Sequence, residues 1–218
     1  METEQVVEQI IDQVGPTIVL AIPLGIGKPN TLVNALYRRV ASSPELSLTI
    51  YTALTLHVPQ GKSFLEKRFL EPFCERVFND YTNLDYEEDR KNGVLPDNVR
   101  VCEFYFPAGR ALHNRNAQEN YISSNYTHVA RDLLSRNVNV IAQIVRPSDD
   151  GTQVSLSCNP DVALDLMSAL RKKRDEYRSV SVAEVNHHLP FMHGDAVVPR
   201  EAFDIVFEND DTSFSLFG

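Results

Sequence analysis

Residues 17–30 read TIVLAIPLGIGKPN, and TLVNALYRRVASS (31–43) and LSLTIYTAL (46–54) follow them. The first eight residues of this stretch are almost all apolar, a pattern typical of a strand that is covered on both faces. GIGKPN has the glycines and proline of a turn, and residues 31–43 place apolar side chains at helical spacing, with Asn30 predicted as the helix cap. Because residues 46–54 form the next strand, the segment predicts a βαβ unit with parallel strands.

The same alternation continues along the chain. Further strands are predicted at 99–106, 138–145, 154–158, 179–185 and 202–208, and further helices at 3–13, 62–79, 127–137 and 160–177. Residues 80–97 are polar and predict a loop with a helical turn, and Pro72 is expected to kink or split its helix. About seven strands that alternate with four or five helices indicate a single α/β domain over residues 1–218, with an open, mainly parallel sheet layered with helices.

Composition excludes several classes of protein. The 218 residues are 43% hydrophobic and 23% charged with a net charge of −9, which excludes a disordered or collagen-like chain. The acid excess argues against nucleic-acid or membrane partners, since both attract surplus Lys and Arg. Three distant cysteines and an acidic start without a signal-peptide pattern predict a cytoplasmic location.

The loop after the first strand is the leading candidate for ligand binding. Open α/β sheets bind ligands at the carboxyl ends of their strands, where glycines let a ligand approach backbone N–H groups. The motif is neither GxGxxG nor a Walker A loop, so a tight turn that needs glycine dihedral angles is an equally good interpretation. The candidate binding residues are Gly25, Ile26, Gly27, Lys28, Pro29 and Asn30.

Three other features allow a functional interpretation beside a simpler one. HHLPFMH (187–193) could hold zinc, although a polar loop is favoured because no helix sets the spacing. RKKRDEYR (171–178) could attract phosphates, although a solvated helix end is favoured. Cys158 could be a nucleophile, although a buried thiol is favoured.

Four segments together resemble the acetyl-CoA hydrolase/transferase family, which includes 4-hydroxybutyrate and succinate:acetate CoA-transferases. They are IPLGIGKPNTLVNAL (22–36), CEFYFPAGR (102–110), residues 137–170 and residues 180–210. The last segment is the most specific match, because EVN, Pro190 and the Gly-Asp pair at 194–195 are in register with the family pattern. One departure is Phe191-Met192, where the family has Arg-Thr.

The resemblance covers only the family's N-terminal half. It implies that residues 1–218 are one lobe of an enzyme of two α/β lobes, and that the catalytic glutamate lies in a C-terminal lobe absent from this chain. No catalytic residue is therefore expected here, and the chain alone should be inactive. The resemblance implies that it forms half of a thioester cleft for an acyl-CoA hydrolase or CoA-transferase.

The resemblance also implies roles for the candidate residues. Residues 25–30 become a wall of the acyl-CoA pocket, with the N–H groups of 25–27 facing the thioester oxyanion and Lys28 adding positive potential. Asn186, Pro190, Gly194 and Asp195 are expected to hold the loop beside the pocket.

The implied substrates are acyl-CoA, which brings coenzyme A, and a carboxylic acid or water as acceptor, with no metal. The implied partners are the chain's own C-terminal lobe and, as a further option, a second copy in a homo-oligomer. The alternative function is a non-catalytic α/β module that binds a phosphorylated metabolite at the glycine loop.

Overall fold

The computed structural model describes residues 1–78, 80–173 and 176–209. The helices are α1 (Thr3–Val14), α2 (Asn30–Ala41), α3 (Phe64–Val77), α4 (Asp85–Asn92), α5 (Arg115–Glu119), α6 (Val129–Leu134) and α7 (Ala163–Lys172). The strands are β1 (Thr17–Ala21), β2 (Ser47–Thr52), β3 (Val99–Glu103), β4 (Val140–Pro147), β5 (Gln153–Ser155), β6 (Val180–Val185), β7 (Val197–Pro199) and β8 (Ile205–Glu208). Short 3-10 turns lie at Gly25–Gly27, Gly194–Ala196 and Arg200–Ala202.

Six strands form a parallel sheet in the order β3-β2-β1-β4-β6-β8. The end of β4 also pairs antiparallel with β5, which in turn pairs antiparallel with β7. The prediction of an open, mainly parallel α/β sheet is confirmed. Because the six strands point the same way, their carboxyl ends and the loops that follow them lie along one edge, which we call the carboxyl edge.

Both faces of the sheet are covered, which explains the continuous apolar runs in the strands. One core cluster joins α1 and α2 to one face, with Ile18 and Leu20 of β1 pointing into it. The other cluster joins α6 and α7 to the opposite face, with Ala21 of β1 and Ile141 of β4 among its members. Successive side chains of each strand point to opposite faces of the sheet, so they pack into two separate cores.

Local predictions differ from the structure at several points. Residues 85–92 form the two-turn helix α4, and β7 was not predicted. Pro72 lies inside α3 without splitting it. The prediction that Asn30 caps α2 is wrong: Pro29 is at the cap position, and the Asn30 side chain donates to the Thr82 carbonyl at 2.7 Å instead. The predicted 160–177 helix ends at Lys172, and residues 79, 174–175 and 210–218 lie outside the described residues.

No helix in the part of the chain that the structure describes is both long and apolar enough to cross a membrane.

Candidate functional site

Loops from three neighbouring strands are joined by hydrogen bonds at the carboxyl edge. The Gly25 N–H donates to the Leu54 carbonyl at 3.2 Å, and the Leu54 N–H donates to the Tyr105 carbonyl at 3.0 Å. These residues follow β1, β2 and β3. Leu54 has a φ of 45° and Gly25 a φ of 56°, so the junction uses left-handed backbone that is costly for leucine.

Lys28 anchors this junction from inside the protein. Its Nζ donates to the Ala53 carbonyl at 2.7 Å and to the Leu54 carbonyl at 3.2 Å, and the side chain is completely buried. Burial lowers the pKa of Lys28 to about 7, against the pull of Glu103, Asp161 and Glu87 in the other direction. Lys28 is therefore a buried structural contact of the loop, and its contribution of positive potential to the pocket stays a prediction.

The glycines of the loop serve close packing. A Cβ on Gly27 would lie 2.5 Å from the Asn159 carbonyl oxygen, and one on Gly25 would lie 3.3 Å from Asn159 Oδ1. The Gly27 N–H donates to the Leu24 carbonyl at 3.2 Å. Since the Gly25 and Gly27 amides are both engaged within the protein, the prediction that all three amides of 25–27 face an oxyanion is wrong, and Ile26 supplies the remaining N–H group.

A carboxylate of the protein already occupies the first turn of α2. Glu184, in β6, is fully buried, and its Oε2 accepts the Leu32 N–H at 3.0 Å. A carboxylate at a helix N-terminus satisfies the donors and the helix dipole that would otherwise attract a phosphate. This contact disfavours a phosphorylated ligand at the start of α2.

A buried ionic network lies beside the lysine. Arg90 Nη2 donates to Glu103 Oε2 at 2.9 Å and also to Glu87 Oε2, and all three side chains are nearly inaccessible. The Arg90 guanidinium also lies 5.3 Å from the centre of the Phe106 ring, a cation–π contact. Burial raises the pKa of Glu87 despite the nearby arginine.

Thr55 ties this network to the strand junction. Its N–H and its hydroxyl both donate to Glu103 Oε1, at 3.1 and 2.5 Å, and the hydroxyl lies 3.1 Å from the Tyr86 hydroxyl. The buried Glu103 carboxylate is therefore held by three directional bonds, whereas Arg90 Nε and Nη1 are buried without a hydrogen-bond partner among the described residues.

Asp161 has the most unusual environment among the acids of this edge. Its φ is 48°, and its Oδ1 atom is buried with no hydrogen-bond partner among the described residues. Burial raises the pKa of Asp161 to about 6, against the opposite pull of the Lys28 charge and of the backbone N–H groups of Leu24 and Val162. The carboxylate lines a cavity of about 10 Å³ whose other walls are apolar, including Phe104 and Ile141. Such a group changes protonation state close to neutral pH.

The predicted pocket loop after β6 is tied to β5. Asn186 is fully buried, and its Oδ1 accepts the His188 N–H at 2.8 Å. The Pro190 carbonyl accepts the Ser157 hydroxyl at 2.9 Å. Gly194 has a φ of 77° and starts a 3-10 turn in which Asp195 is exposed. Pro190 thus holds the loop against Ser157, whereas Asn186 stabilises the turn that follows β6.

The remaining candidates are not gathered into the site. His187 is exposed and lies 2.6 Å from Glu208, and the described residues contain no group of three His, Cys, Asp or Glu side chains that could hold a metal ion. Cys158 is half-buried, with its sulfur 3.1 Å from the Ser157 hydroxyl. In the 171–178 run, Arg171 donates to the Glu201 carbonyl at 3.0 Å.

Sequence analysis did not identify the buried ionic network of Glu87, Arg90 and Glu103. It also did not identify Asp161 as a buried carboxylate at the carboxyl edge. A signal existed for Arg90: residues 85–92 have acidic side chains in the first turn, basic side chains in the last turn and a glycine at the C-cap, but they lack an apolar stripe because their inward positions include an ion pair. No spacing rule could have brought Asp161 near Lys28, since they are 133 residues apart.

Comparisons with known proteins come from structure alone. No protein-family model and no curated protein matches the chain. Among solved structures, RipA from Yersinia pestis has a TM-score of 0.63 at 21% identity, with 99% of this chain and 42% of that chain covered. A point mutant of RipA has a TM-score of 0.65 at 20% identity, with 99% of this chain and 42% of that chain covered.

A 4-hydroxybutyrate CoA-transferase from Porphyromonas gingivalis has a TM-score of 0.49 at 15% identity, covering 99% of this chain and 40% of that chain, which is too weak to carry an argument. The chain thus spans less than half the length of the solved structures that it resembles. At these identities, the likeness to RipA shows a shared α/β fold.

Proposed function

We propose that this chain is the N-terminal lobe of an acyl-CoA hydrolase or CoA-transferase and that its carboxyl edge is half of the thioester cleft. One observation carries the proposal: left-handed backbone at Leu54 and Asp161 and the buried ionisable Lys28 meet at the carboxyl edge. Strained residues and shifted pKa values concentrate at functional sites, and open α/β sheets bind ligands at this edge.

Two further observations support the proposal. The four segments of family resemblance include the 22–36 loop and helix, the 102–110 segment and the 137–170 segment, and all three contribute residues to this edge. The chain covers 42% of the RipA chain, whose fold it shares, which leaves room in a protein of that length for a second lobe. We place the nucleophilic glutamate in that second lobe.

We assign Asp161 the proton transfer in this lobe. The glutamate carboxylate of the second lobe attacks the carbonyl carbon of the thioester and the carbon–sulfur bond breaks, which gives an acyl–glutamyl anhydride and the CoA thiolate. In the hydrolytic branch, water attacks the acyl carbon of this anhydride, the glutamate carboxylate leaves, and Asp161 takes the proton from that water. The proton then passes to the CoA thiolate, so the products are a carboxylic acid and free CoA. A pKa of about 6 suits both halves of this transfer near neutral pH. In the transferase branch, the CoA thiolate attacks the glutamyl carbonyl of the anhydride, which releases the first carboxylate and leaves a glutamyl-CoA thioester. The carboxylate of a second acid attacks this thioester, and the released thiolate then attacks the new acyl carbon, so the second acid leaves as its CoA thioester and the glutamate is regenerated.

The test follows the reading frame past Gly218 and compares the 218-residue chain with the longer protein in an acetyl-CoA hydrolysis and CoA-transfer assay. We expect the longer protein to be active and the 218-residue chain to be inactive. A reading frame that stops at Gly218, robust turnover by the short chain, or an inactive longer protein would contradict the proposal.

A matched pair of variants tests the role of Asp161. Asp161→Asn keeps the shape of the side chain and tolerates left-handed backbone, but it cannot accept a proton. We expect it to lower kcat for hydrolysis by about 100-fold or more. Asp165→Asn, on the exposed side of α7, is the control and should leave kcat unchanged. Equal rates in the two variants would remove Asp161 from the mechanism.

Calorimetry separates this function from the alternative. The carboxyl edge should bind acetyl-CoA in the longer protein, whereas a regulatory module would bind a sugar phosphate without a second lobe. Tight binding of a sugar phosphate to the 218-residue chain, with no heat from acetyl-CoA, would favour the alternative.

A further inference from the structure

A cleft opens at the end of β3, between the loop that follows this strand and helix α5. It has a volume of about 560 Å³, and its walls include Phe106, Leu112 and Tyr121. Among the described residues that line it, none is Asp, Glu, Lys, Arg or His. Pockets of this size bury ligands much larger than an acetyl group, and walls without charge favour a ligand group that is itself uncharged.

The cleft gathers large apolar side chains that remain open to solvent. Tyr105, Leu112 and Tyr121 line it, and each of them is more than half exposed. Single exposed apolar residues are ordinary on protein surfaces, but several in one concave place mark a binding site. Aromatic rings offer broad apolar faces, so a bound apolar group would remove a large area from water here.

Contacts within the protein hold both walls of the cleft in place. On one side, the Phe106 ring lies 5.3 Å from the guanidinium of the buried Arg90 and 6.2 Å from the Tyr121 ring. On the other side, Gln118 Nε2 donates to two backbone carbonyls of the preceding turn, at 2.9 and 2.8 Å. The cleft is therefore formed before a ligand arrives, which lowers the entropic cost of binding.

The cleft adjoins the strand junction and Asp161. The Tyr105 carbonyl accepts the Leu54 N–H at 3.0 Å. Burial raises the pKa of Tyr126, and the charge of Asp161 and the phenol of Tyr105 add to this rise, so both groups are neighbours of Tyr126. Phe104 packs edge-on against Tyr126 with 6.2 Å between ring centres, and it lines the same small cavity as Asp161. An aromatic surface therefore runs from Asp161 to the cleft.

We propose that this cleft binds the acyl group of the substrate and selects acyl-CoA thioesters whose acyl group is large, apolar and uncharged. The inference rests on the proposed function, in which the thioester carbonyl lies beside Asp161. An acetyl group ends there, whereas a longer acyl chain extends past Tyr126 into the cleft. An acyl group with a second carboxylate would bury that charge between apolar walls, which is costly. Acetyl-CoA remains a substrate, but a less efficient one.

Tyrosine fluorescence of the 218-residue chain measures binding at the cleft. The chain has no tryptophan, and three of its eight tyrosines lie in the cleft or beside it. The probes are the N-acetylcysteamine thioesters of octanoic and acetic acid, which lack the CoA nucleotide and so do not need the second lobe. We expect the octanoyl probe to bind with a Kd at least about 50-fold below that of the acetyl probe, because each buried methylene strengthens binding several-fold.

Three variants test the place of binding. Leu112→Glu brings a charge into the cleft, and we expect it to raise the Kd of the octanoyl probe by about tenfold or more. Leu112→Met keeps an apolar side chain and should retain the wild-type Kd. Val94→Glu, at a residue of similar exposure after α4, is the control and should leave the Kd unchanged. Circular dichroism spectra check that each variant is folded.

Kinetics of the longer protein separate this inference from the proposed function. We expect kcat/KM for octanoyl-CoA to exceed that for acetyl-CoA by about 50-fold or more. Equal values for the two substrates, an octanoyl probe that does not bind, or binding that Leu112→Glu does not weaken would each overturn the inference and leave the proposed function standing. Binding that Leu112→Glu weakens, in a longer protein that turns over no acyl-CoA, would support an apolar binding site in the cleft and contradict the proposed function.

Discussion

The Nζ atom of Lys28 lies 2.7 Å from the carbonyl oxygen of Ala53, so a buried side chain from the loop after β1 is fastened to the loop after β2. The same nitrogen reaches the Leu54 carbonyl, whose residue has left-handed backbone. Lys28 therefore stabilises the conformation of both loops from below, where water cannot compete for its hydrogen bonds.

Replacement of this lysine should cost stability in a pH-dependent way. Lys28→Met leaves the Ala53 and Leu54 carbonyls without their donor, and we expect it to lower the free energy of unfolding by about 1–3 kcal/mol. The folded-state pKa of about 7 lies below the ordinary lysine value of 10.5, so the unfolded chain binds more protons between these pH values. The stability that wild-type Lys28 contributes therefore rises with pH across that window.

The loss caused by Lys28→Met should accordingly be larger at about pH 10 than at about pH 6. Urea unfolding of both proteins at the two pH values measures it. Lys62→Met, at an exposed lysine, is the matched control and should show little loss at either pH. A pH-independent loss at position 28 would mean that the amine keeps an ordinary pKa in the folded protein.

Gly27 should tolerate no side chain. In Gly27→Ala the new Cβ lies 2.5 Å from the Asn159 carbonyl oxygen, and backbone cannot move away as a flexible side chain can. We expect a loss of about 2–3 kcal/mol in the free energy of unfolding, from overpacking. Gly151→Ala is the comparison, because its Cβ meets nothing within 4 Å and only its φ of 69° is unfavourable. Denaturant titration should rank Gly27→Ala as clearly the more damaging, and the reverse order would refute the close approach.

Replacement of the buried Arg90 should destabilise the protein far more than replacement of an exposed arginine. Arg90→Met leaves the carboxylates of Glu87 and Glu103 buried without their guanidinium, which we expect to cost about 3–5 kcal/mol. Arg115→Met, which breaks the exposed pair with Glu119, should cost less than about 0.5 kcal/mol. Thermal and urea unfolding measure both. A small effect at position 90 would mean that water reaches the network.

The buried Asp161 carboxylate should make the folded protein less stable near neutral pH. The folded-state pKa of about 6 exceeds the ordinary aspartate value of 3.8, so the folded protein binds more protons between these pH values and loses stability as the pH rises through them. Asp161→Asn removes this penalty, and it should be more stable than wild type by roughly 1–2 kcal/mol at about pH 7.5 and nearly equal to it at about pH 3.5. Unfolding curves of both proteins across this range provide the check. An equal difference at all pH values would refute the raised pKa.

Sequence analysis recovered the parts of the fold that depend on local pattern. The largely apolar residues 17–24 predict a strand buried on both faces, and residues 138–145 predict another strand. The structure places both in the centre of the parallel sheet. Helix α4 was missed because its buried positions include Glu87 and Arg90, charges that pair only in the folded protein. A hydrophobic pattern cannot register a buried ion pair.

The sequence by itself determined the α/β class, the parallel βαβ start and the position of the glycine loop after the first strand, because these follow from hydrophobic periodicity and turn chemistry within a few neighbouring residues. Only the tertiary structure decided what that loop does. It turned Lys28 inward to the carbonyls after β2, engaged the Gly25 and Gly27 amides, and brought Asp161 to the same edge. The physical reason is that burial, pKa and hydrogen-bond satisfaction depend on which distant segments share one desolvated space, and chain neighbours alone do not specify that.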